Sequence, residues 1–250
     1  MIEVKNISKF FNGVQILHDV SFQFEKGKTN LIIGQSGSGK SVLTKCIVGL
    51  LKPEEGQILF DGRDFVALKR KEKKNIRKEI GMLFQGSALF DSLTVEENIM
   101  FPLKMFSNMS KEEMRDRANF CLERVNIVNK NKLFPAETSG GMQKRIAIAR
   151  AIAMKPKYLF CDEPNSGLDP VTSMLIDELI KELTEEYDMT TIVITHDMNS
   201  VLEIGDNIMF LNQGHNHWKG DMNSILTTDN EAVNDFVYVS KFLKQFKNKL

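Results

Sequence analysis

Apolar residues follow two different spacings along the chain. In some segments they form short uninterrupted runs, at residues 31–33, 80–84, 158–161 and 191–195. Runs of this length beside turn residues are typical of buried strands. In the segments between them, apolar residues often recur at every third or fourth position, which indicates helices with one apolar face. This alternation of strands and helices predicts an α/β fold.

Three segments depart from this alternation. Residues 1–30 alternate apolar and polar side chains around the turn at residues 12–13, which predicts two paired strands. Residues 97–135 are helical in character and predict a helical insertion. Residues 206–220 predict two edge strands about a polar turn.

The last segment, residues 226–250, predicts an amphipathic C-terminal helix. Val233, Phe236, Val239 and Leu243 recur at threes and fours, and lysines occupy positions between and beyond them. A helix of this kind docks on its own domain, on a partner or on a membrane surface, and the sequence leaves these alternatives open.

Charge and cysteine content narrow the class of protein. The 250 residues include 33 lysines and arginines and 33 aspartates and glutamates, so the net charge is +0. This balance argues against nucleic acid as the main partner, because proteins that bind its phosphate backbone usually carry a basic excess. The three cysteines are far apart and form no CxxC pair, which indicates reduced thiols in a cytosolic protein.

The sequence also bears on a membrane role. Its N-terminus lacks the basic and apolar regions of a signal peptide, and no apolar stretch approaches the roughly 20 residues that cross a bilayer. We therefore expect a cytoplasmic protein whose membrane role is indirect, through a partner chain.

A glycine-rich segment with the spacing G-x-x-x-x-G-K-S joins the first apolar run to a helix. Glycines let the backbone N–H groups turn inward around an anion, and the helix N-terminus adds positive partial charge. Lys40 would reach the β- and γ-phosphates of a nucleotide, and the Ser41 hydroxyl would bind Mg²⁺. The sequence therefore predicts a phosphate-binding P-loop. Its candidate nucleotide-binding residues are Gly34, Gln35, Ser36, Gly37, Ser38, Gly39, Lys40 and Ser41.

Polar side chains follow two later apolar runs at the point where each run ends. Asp162 and Glu163 come directly after the third run, and His196 follows the fourth. In a protein with a P-loop, Asp162 is expected to hold Mg²⁺ through its water shell, and Glu163 to polarise a water for attack on the γ-phosphate. His196 would lie at the same sheet edge, where ligands bind in open α/β folds.

Two further signals have ordinary structural alternatives. A Ser-Gly-Gly segment at residues 139–141 opens a helix, and free N–H groups at a helix start attract anions. Serine and glycine are also common helix caps. Phe11 either packs within a strand or stacks on a nucleotide base.

The order of these motifs resembles the nucleotide-binding domain of ABC transporters. GQSGSGKS is followed by Gln85 after a strand, SGG at a helix start, LFCDEP, SGLD and ITHD. The resemblance runs from Ile2 to about Gly220. It implies an α/β P-loop NTPase with a RecA-like core, an N-terminal antiparallel β-subdomain and an ABC helical subdomain at about residues 88–148. The ABC domain would span residues 1–225.

The resemblance also implies roles for individual residues. Phe11 would stack on adenine, Asp169 would cross a dimer interface, and Gln85 would sense Mg²⁺ and the γ-phosphate and link to a membrane subunit. Ser139, Gly140 and Gly141 would complete the ATP site of a second copy in a head-to-tail dimer. The implied catalytic residues are Lys40, Gln85, Glu163 and His196, and the implied Mg²⁺ ligands are Ser41, Gln85 and Asp162.

The subfamily is indicated by the signature and by residues 83–99. Met142 stands where the commonest signature, LSGGQ, has its glutamine, so a role of that glutamine does not transfer. The signature and residues 83–99 both resemble the corresponding segments in the ATPases of Mla/Mce-type intermembrane phospholipid transporters. The resemblance implies a separate permease, an MCE lipid-binding protein and, as a further candidate partner, a small regulatory subunit. The chain would then lie on the cytoplasmic face of the inner membrane.

Other functions remain as alternatives. ATPases of amino-acid importers and of cell-division systems share the same fold, and a soluble ABC-type ATPase scaffold belongs to a different class. A compact helical region without heptads and a neutral net charge disfavour the scaffold. The presence of Lys40, Asp162, Glu163 and His196 disfavours a module that binds nucleotide without hydrolysis.

Overall fold

The computed structural model describes residues 1–238, which form two sheets with helices packed around them. In chain order the strands are β1 (Ile2–Phe11), β2 (Val14–Phe24), β3 (Thr29–Ile33), β4 (Glu55–Phe60), β5 (Arg63–Asp64), β6 (Ile80–Leu83), β7 (Tyr158–Asp162), β8 (Thr190–Thr195), β9 (Asn207–Asn212) and β10 (His215–Gly220). The helices are α1 (Lys40–Ile47), α2 (Arg70–Lys78), α3 (Val95–Phe106), α4 (Lys111–Arg124), α5 (Gly140–Ile152), α6 (Pro170–Glu186), α7 (Met198–Ile204), α8 (Ser224–Thr227) and α9 (Glu231–Val237).

The larger sheet has six strands in the order β10-β9-β3-β8-β7-β6. Neighbouring strands from β9 to β6 are parallel, and β10 is antiparallel to β9. Because parallel strands point the same way, the carboxyl ends of β3, β6, β7 and β8 meet at one edge. The predicted α/β fold is confirmed.

The prediction of two edge strands over residues 206–220 is wrong for the first of them. β9 lies between β10 and β3, inside the sheet, and only β10 is at the edge. The reason is that Ile208, Met209, Phe210 and Leu211 are all buried, since both faces of β9 are covered by other elements. A continuous apolar run, rather than an alternating one, is typical of such a strand.

The smaller sheet has four strands in the order β2-β1-β4-β5, all paired antiparallel. Its first two strands form the predicted hairpin, whose turn residues Asn12 and Gly13 have φ angles of 49° and 81°. Two successive residues with positive φ produce a turn whose twist matches that of the paired strands. The sequence therefore determines this hairpin locally.

Two apolar cores lie on opposite faces of the six-stranded sheet. Leu31 and Ile33 point into one core with the helices α3 to α7, whereas Ile32 points into the other with α1 and the smaller sheet. Successive side chains of a strand alternate between faces, so a strand buried on both faces is apolar throughout. This explains why the short runs in the sequence are uninterrupted.

The predicted helical stretch 97–135 is two helices, α3 and α4, followed by loops and a short 3-10 helix at Pro135–Glu137. Both helices begin with a capping box: Thr94 pairs with Glu97, and Ser110 pairs with Glu113. Each box satisfies backbone N–H groups that a helix start leaves free, so the second box ends the continuity with α3. The stretch predicted to be helical as far as residue 135 was too long at its C-terminal end, because α4 ends at Arg124.

The C-terminal segment contains two short helices among the described residues. The predicted helix 226–250 is interrupted, and α9 begins at Glu231, because the Asn230 side chain accepts a hydrogen bond from the Val233 N–H and caps it. Val233 is buried, as the amphipathic pattern predicts. The remainder of the prediction, including Val239 and Leu243, lies outside the described residues.

Two further findings concern cysteines and the membrane. Cys46, Cys121 and Cys161 are all buried and unpaired. Burial raises the pKa of the Cys46 and Cys121 thiols to about 11 and raises that of Cys161 as well. Among residues 1–238, every helix is too short or too polar to span a bilayer.

Candidate functional site

A cavity of about 720 Å³ opens at the carboxyl edge of the six-stranded sheet. The loops that follow β3, β6, β7 and β8 each contribute to its wall. The cavity therefore lies where open α/β sheets bind ligands. The predicted site residues that line it are Gln35, Ser36, Gly37, Gly39, Lys40, Ser41, Gln85, Asp162, Glu163 and His196.

The glycine loop is held tightly against the hairpin that joins β9 to β10. Gly34 has φ 147°, and a Cβ there would approach the Leu211 carbonyl oxygen to 2.1 Å. Gly39, with φ 104°, turns the chain into α1. The Gly214 N–H donates to the Ser38 carbonyl at 3.0 Å. Larger residues at positions 34 and 39 would force this loop out of shape, which explains the two glycines.

Lys40 is the cation of this loop. Its residue is only 7% exposed, and its Nζ donates to the carbonyl oxygens of Gly34 at 2.7 Å and Gln35 at 2.9 Å. Burial lowers the pKa of the Lys40 ammonium, and the Glu163 and Asp162 carboxylates partly oppose that shift. The ammonium therefore lies between a backbone cradle and two acids, at the wall of the cavity.

The loop fits a nucleotide phosphate on two observations. The Ser38 hydroxyl is buried without a hydrogen-bond partner among the described residues. No side chain caps the start of α1, so its first N–H groups have no side-chain acceptor. Unsatisfied donors at a helix N-terminus beside a buried ammonium are the groups that bind phosphate oxygens.

The residues at the cavity also fit Mg²⁺. Ser41, Gln85 and Asp162 line the same cavity and offer a hydroxyl, an amide and a carboxylate. Mg²⁺ prefers such oxygen ligands and usually completes its shell with water and substrate phosphates. A bound Mg²⁺ would neutralise charge on those phosphates. Burial, and then the neighbouring Glu163, raise the pKa of the Asp162 carboxyl, which a cation beside it would lower.

Glu163 and His196 form a pair at the end of β7 and β8. Glu163 has a positive φ of 47°, and its N–H donates to the Ile194 carbonyl at 2.9 Å. Its Oε1 lies 2.8 Å from His196 Nδ1, within hydrogen-bond distance. The Glu163 side chain is 15% exposed and that of His196 67%. The carboxylate thus faces the cavity from a sheltered position, while the imidazole reaches out to solvent.

Lys144 is a residue near the site that sequence reasoning missed. It lies on α5, is 4% exposed, and its Nζ donates to the carbonyl oxygens of Gln85 and, at 3.4 Å, of Glu163. Burial lowers the pKa of its ammonium. The signal in the sequence was a lysine on the helical face that also carries Ile148 and Ala151, where the spacing calls for an apolar residue.

The structure does not bring the Ser-Gly-Gly segment to this cavity. Ser139 caps α5 by accepting from the Met142 N–H at 3.3 Å, as predicted. Ser139 and Gly140 are exposed and Gly141 is half-buried, and none of the three lines the cavity. Within one chain the P-loop and this segment are therefore separate.

Phe11 is also absent from the cavity wall. Its residue is 41% exposed, and the Lys9 ammonium lies 5.1 Å from the centre of its ring. The apolar part of the wall includes Ile16 together with Phe236 and Val237 of the C-terminal segment. No local motif marks these residues, because the tertiary fold brings them to the P-loop from distant positions.

The sequence profile of the ABC transporter family matches residues 17–166. The probable ribonucleotide transport ATP-binding protein mkl of Mycobacterium leprae is 39% identical over 236 residues, which cover 94% of this chain and 68% of that protein. The methionine import ATP-binding protein MetN of Campylobacter jejuni is 37% identical over 261 residues, covering 98% of this chain and 78% of that protein. The chain thus spans about two thirds of the mycobacterial relative.

The chain is also similar to a phospholipid transport ATPase and to a solved dimeric cassette. The intermembrane phospholipid transport system ATP-binding protein MlaF of Haemophilus influenzae is 42% identical over 207 residues, covering 82% of this chain and 78% of that protein. Among solved structures, a dimeric ATP-binding cassette in a post-hydrolysis state with ADP and Pi superposes with a TM-score of 0.81 at 35% identity. That match covers 89% of this chain and 99% of the cassette.

Proposed function

The chain belongs to the ABC transporter family of ATPases, and we propose that it powers phospholipid movement between bacterial membranes through a separate permease. It is an enzyme that hydrolyses ATP, with Mg²⁺ as the cofactor. As a cassette of this family it dimerises and works with a membrane permease. We further propose its lipid substrate, its additional partners and the roles of its single residues.

The assignment of a phospholipid substrate rests on the 42% identity to MlaF. It exceeds the 39% and 37% found for the ribonucleotide and methionine relatives named above, over 207 aligned residues against 236 and 261. Met142 in the signature supports the same assignment. By this proposal the chain also serves an MCE lipid-binding protein, lies on the cytoplasmic face of the inner membrane and can take a small regulatory subunit.

An exposed apolar surface beside Gln85 supports docking of a permease. Phe84, Phe90 and Phe101 are each at least 36% exposed, and the rings of Phe90 and Phe101 lie 4.6 Å apart. Arg150 holds the loop beneath them by donating to the carbonyl oxygens of Ser87 and Ala88. Clustered exposed aromatic residues on an ordered surface are typical of protein interfaces.

The separation of the Ser-Gly-Gly segment from the cavity supports a shared ATP site. The N-terminus of α5 is exposed and free to meet a phosphate bound to a second copy. In this proposal Ser139, Gly140 and Gly141 of one copy complete the cavity of the other, and Asp169 lies at the same interface. The γ-phosphate then bridges two chains, and hydrolysis removes the bridge.

We assign the chemistry of the cavity to five side chains. Lys40 binds the β- and γ-phosphates, and Ser41 and Asp162 hold Mg²⁺. Glu163 orients and deprotonates the attacking water, and His196, at 2.8 Å from the Glu163 carboxylate, orients that carboxylate and contacts the γ-phosphate. Gln85 connects the cavity to the permease surface through its loop.

A direct test uses the chain co-purified with its permease and reconstituted in phospholipid vesicles. We expect ATPase activity to increase with transfer of labelled phospholipid and to be unaffected by added methionine or ribonucleotides. Glu163→Gln is the matched control, because it keeps the size of the side chain but removes the base. Stimulation by methionine instead of lipid would contradict the phospholipid assignment and favour the amino-acid importer.

A further inference from the structure

A polar cluster of three residues, two of them buried, is close in the chain to Glu163 and His196. It consists of Asn165, Asp177 and Ser200, which come from the loop after β7, from α6 and from α7. The Asn165 Nδ2 donates to Asp177 Oδ2 at 2.7 Å and to Ser200 Oγ at 3.0 Å. The Ser200 hydroxyl donates to the same Asp177 oxygen at 2.7 Å. One carboxylate oxygen therefore connects three separate elements.

The position of this cluster relates it to the two proposed catalytic groups. Asn165 follows Glu163 by two residues, with the buried and conformationally restricted Pro164 between them. Ser200 lies four residues after His196, on the first turns of the helix that follows it. Asp177 therefore bonds both to the loop of Glu163 and to the helix after His196.

The cluster is costly for stability. Asp177 is 2% exposed, and its Oδ1, like the Oδ1 of Asn165, has no hydrogen-bond partner among residues 1–238. Burial raises the pKa of the Asp177 carboxyl to about 6, hydrogen bonds from Ser200 and Asn165 oppose that shift, and the charges of Glu203 and Asp197 add to it. A buried, incompletely paired carboxylate weakens a fold, so packing alone gives no reason for an aspartate here.

We infer that Asp177 is a positioning residue, which sets the distance between Glu163 and His196 through Asn165 and Ser200. The inference rests on the proposed roles of Glu163 and His196. Without the Asp177 acceptor, the loop of Glu163 and the helix after His196 would move independently. The Glu163 carboxylate would then lose its alignment with the attacking water. Misplacement by about 1 Å costs on the order of 100-fold in rate. Nucleotide binding, which depends on the P-loop, would be preserved.

The test measures kcat and KM for ATP, with the melting temperature, in four variants of the full chain. Asp177→Leu removes the acceptor but keeps a side chain that branches at Cγ, Asp177→Asn keeps one acceptor oxygen, and Ser200→Ala removes a single hydroxyl. Thr184→Val is the matched control, because Thr184 is buried on the same helix and its hydroxyl bonds to Ile180 and Thr191, away from the cavity.

We expect Asp177→Leu to lower kcat about 10- to 100-fold with KM for ATP within about twofold of wild type. Asp177→Asn should recover most of that loss, Ser200→Ala should show a smaller fall in kcat, and Thr184→Val should match wild type. If Asp177→Leu does not fold, the Ser200→Ala result decides. The inference is overturned if Ser200→Ala and Asp177→Leu both keep wild-type kcat. It is also overturned if both Asp177 variants lose kcat equally, or if Thr184→Val loses as much as Asp177→Leu.

Failure of the proposed site is distinguished by two further variants. Glu163→Gln and His196→Ala should each lower kcat strongly. If both retain wild-type turnover, the assignment of the catalytic groups is wrong. If both lose turnover while Asp177→Leu and Ser200→Ala retain it, the catalytic groups stand and the positioning role of Asp177 is wrong.

Discussion

Lys40 and Lys144 are two buried lysines that share a site but differ in what their ammonium groups reach. Both are less than 8% exposed, and both donate to backbone carbonyl oxygens. Lys40 lines the cavity, whereas Lys144 does not and instead lies between the carbonyl oxygens of Gln85 and Glu163. Burial alone therefore does not distinguish a lysine that lines the cavity from one that bonds to the carbonyl oxygens of two loops. The two lysines are distinguished by whether the ammonium faces the cavity.

The strongest test of this difference is Lys40→Met. It removes the ammonium from the cavity at similar side-chain length, so phosphate oxygens lose a charge-assisted partner. We expect the Kd for ATP to rise about a thousandfold, since loss of one partner of a buried charge pair costs about 2–5 kcal/mol. Titration with a fluorescent ATP analogue measures this. Unchanged affinity would show that Lys40 does not contact the phosphates.

Asp177 extends the comparison to a buried group of opposite charge. Its pKa of about 6 lies above the ordinary aspartate value, so the fold favours the neutral form. Wild-type stability is therefore fully present at low pH and is lost as pH rises from about 4 through 6. We expect Asp177→Asn, which does not titrate, to become more stable than wild type over that window, by at most about 3 kcal/mol. Urea unfolding at pH 4.5 and 7.5 checks the sign. A constant difference would contradict it.

Lys144→Met should affect turnover more than affinity. The variant removes the donor that the carbonyl oxygens of Gln85 and Glu163 share, so the two loops lose a common anchor. We expect kcat to fall about tenfold while the Kd for ATP stays within about twofold of wild type. Lys144→Gln, which keeps an N–H donor, should recover part of kcat. A large rise in Kd would instead place Lys144 at the nucleotide.

The smallest effect is expected for Lys26→Met. Lys26 forms a salt bridge with Asp188 and is exposed, far from the cavity in its contacts. Exposed ion pairs contribute little because water and salt screen them. Its melting temperature and kcat/KM should match those of wild type, measured in the same assays as the two buried lysines. A fall in kcat/KM would show that this exposed lysine contributes to turnover, which would contradict the prediction.

Much of the fold and of the cavity could be predicted from local sequence. The runs at 31–33 and 191–195 are apolar on both faces, and the parallel strands that they form deliver the P-loop and His196 to one edge. Such residues could be found because a residue that directly follows a parallel strand lies at the carboxyl edge of the sheet, where the cavity opens. The hairpin at residues 12–13 and the caps at Thr94 and Ser110 are equally local.

The parts that could not be predicted depend on contacts between distant segments. Lys144 meets Gln85 across 59 positions, and Asn165 meets Ser200 across 35. Phe236 reaches the cavity wall from the C-terminal segment, where the sequence shows only an amphipathic repeat. The interior place of β9 also follows from its neighbours. In each case the residue type is ordinary, and only the tertiary fold gives it a partner.

The burial of all three cysteines has a practical consequence for labelling. Each thiol is shielded from solvent, and burial raises its pKa, so the reactive thiolate is scarce at neutral pH. A cysteine introduced at exposed Ser139 would then be the accessible thiol of the native chain, without removal of the natural ones. Maleimide probes or bifunctional cross-linkers placed there would report directly on whether, and when, two copies approach each other during turnover.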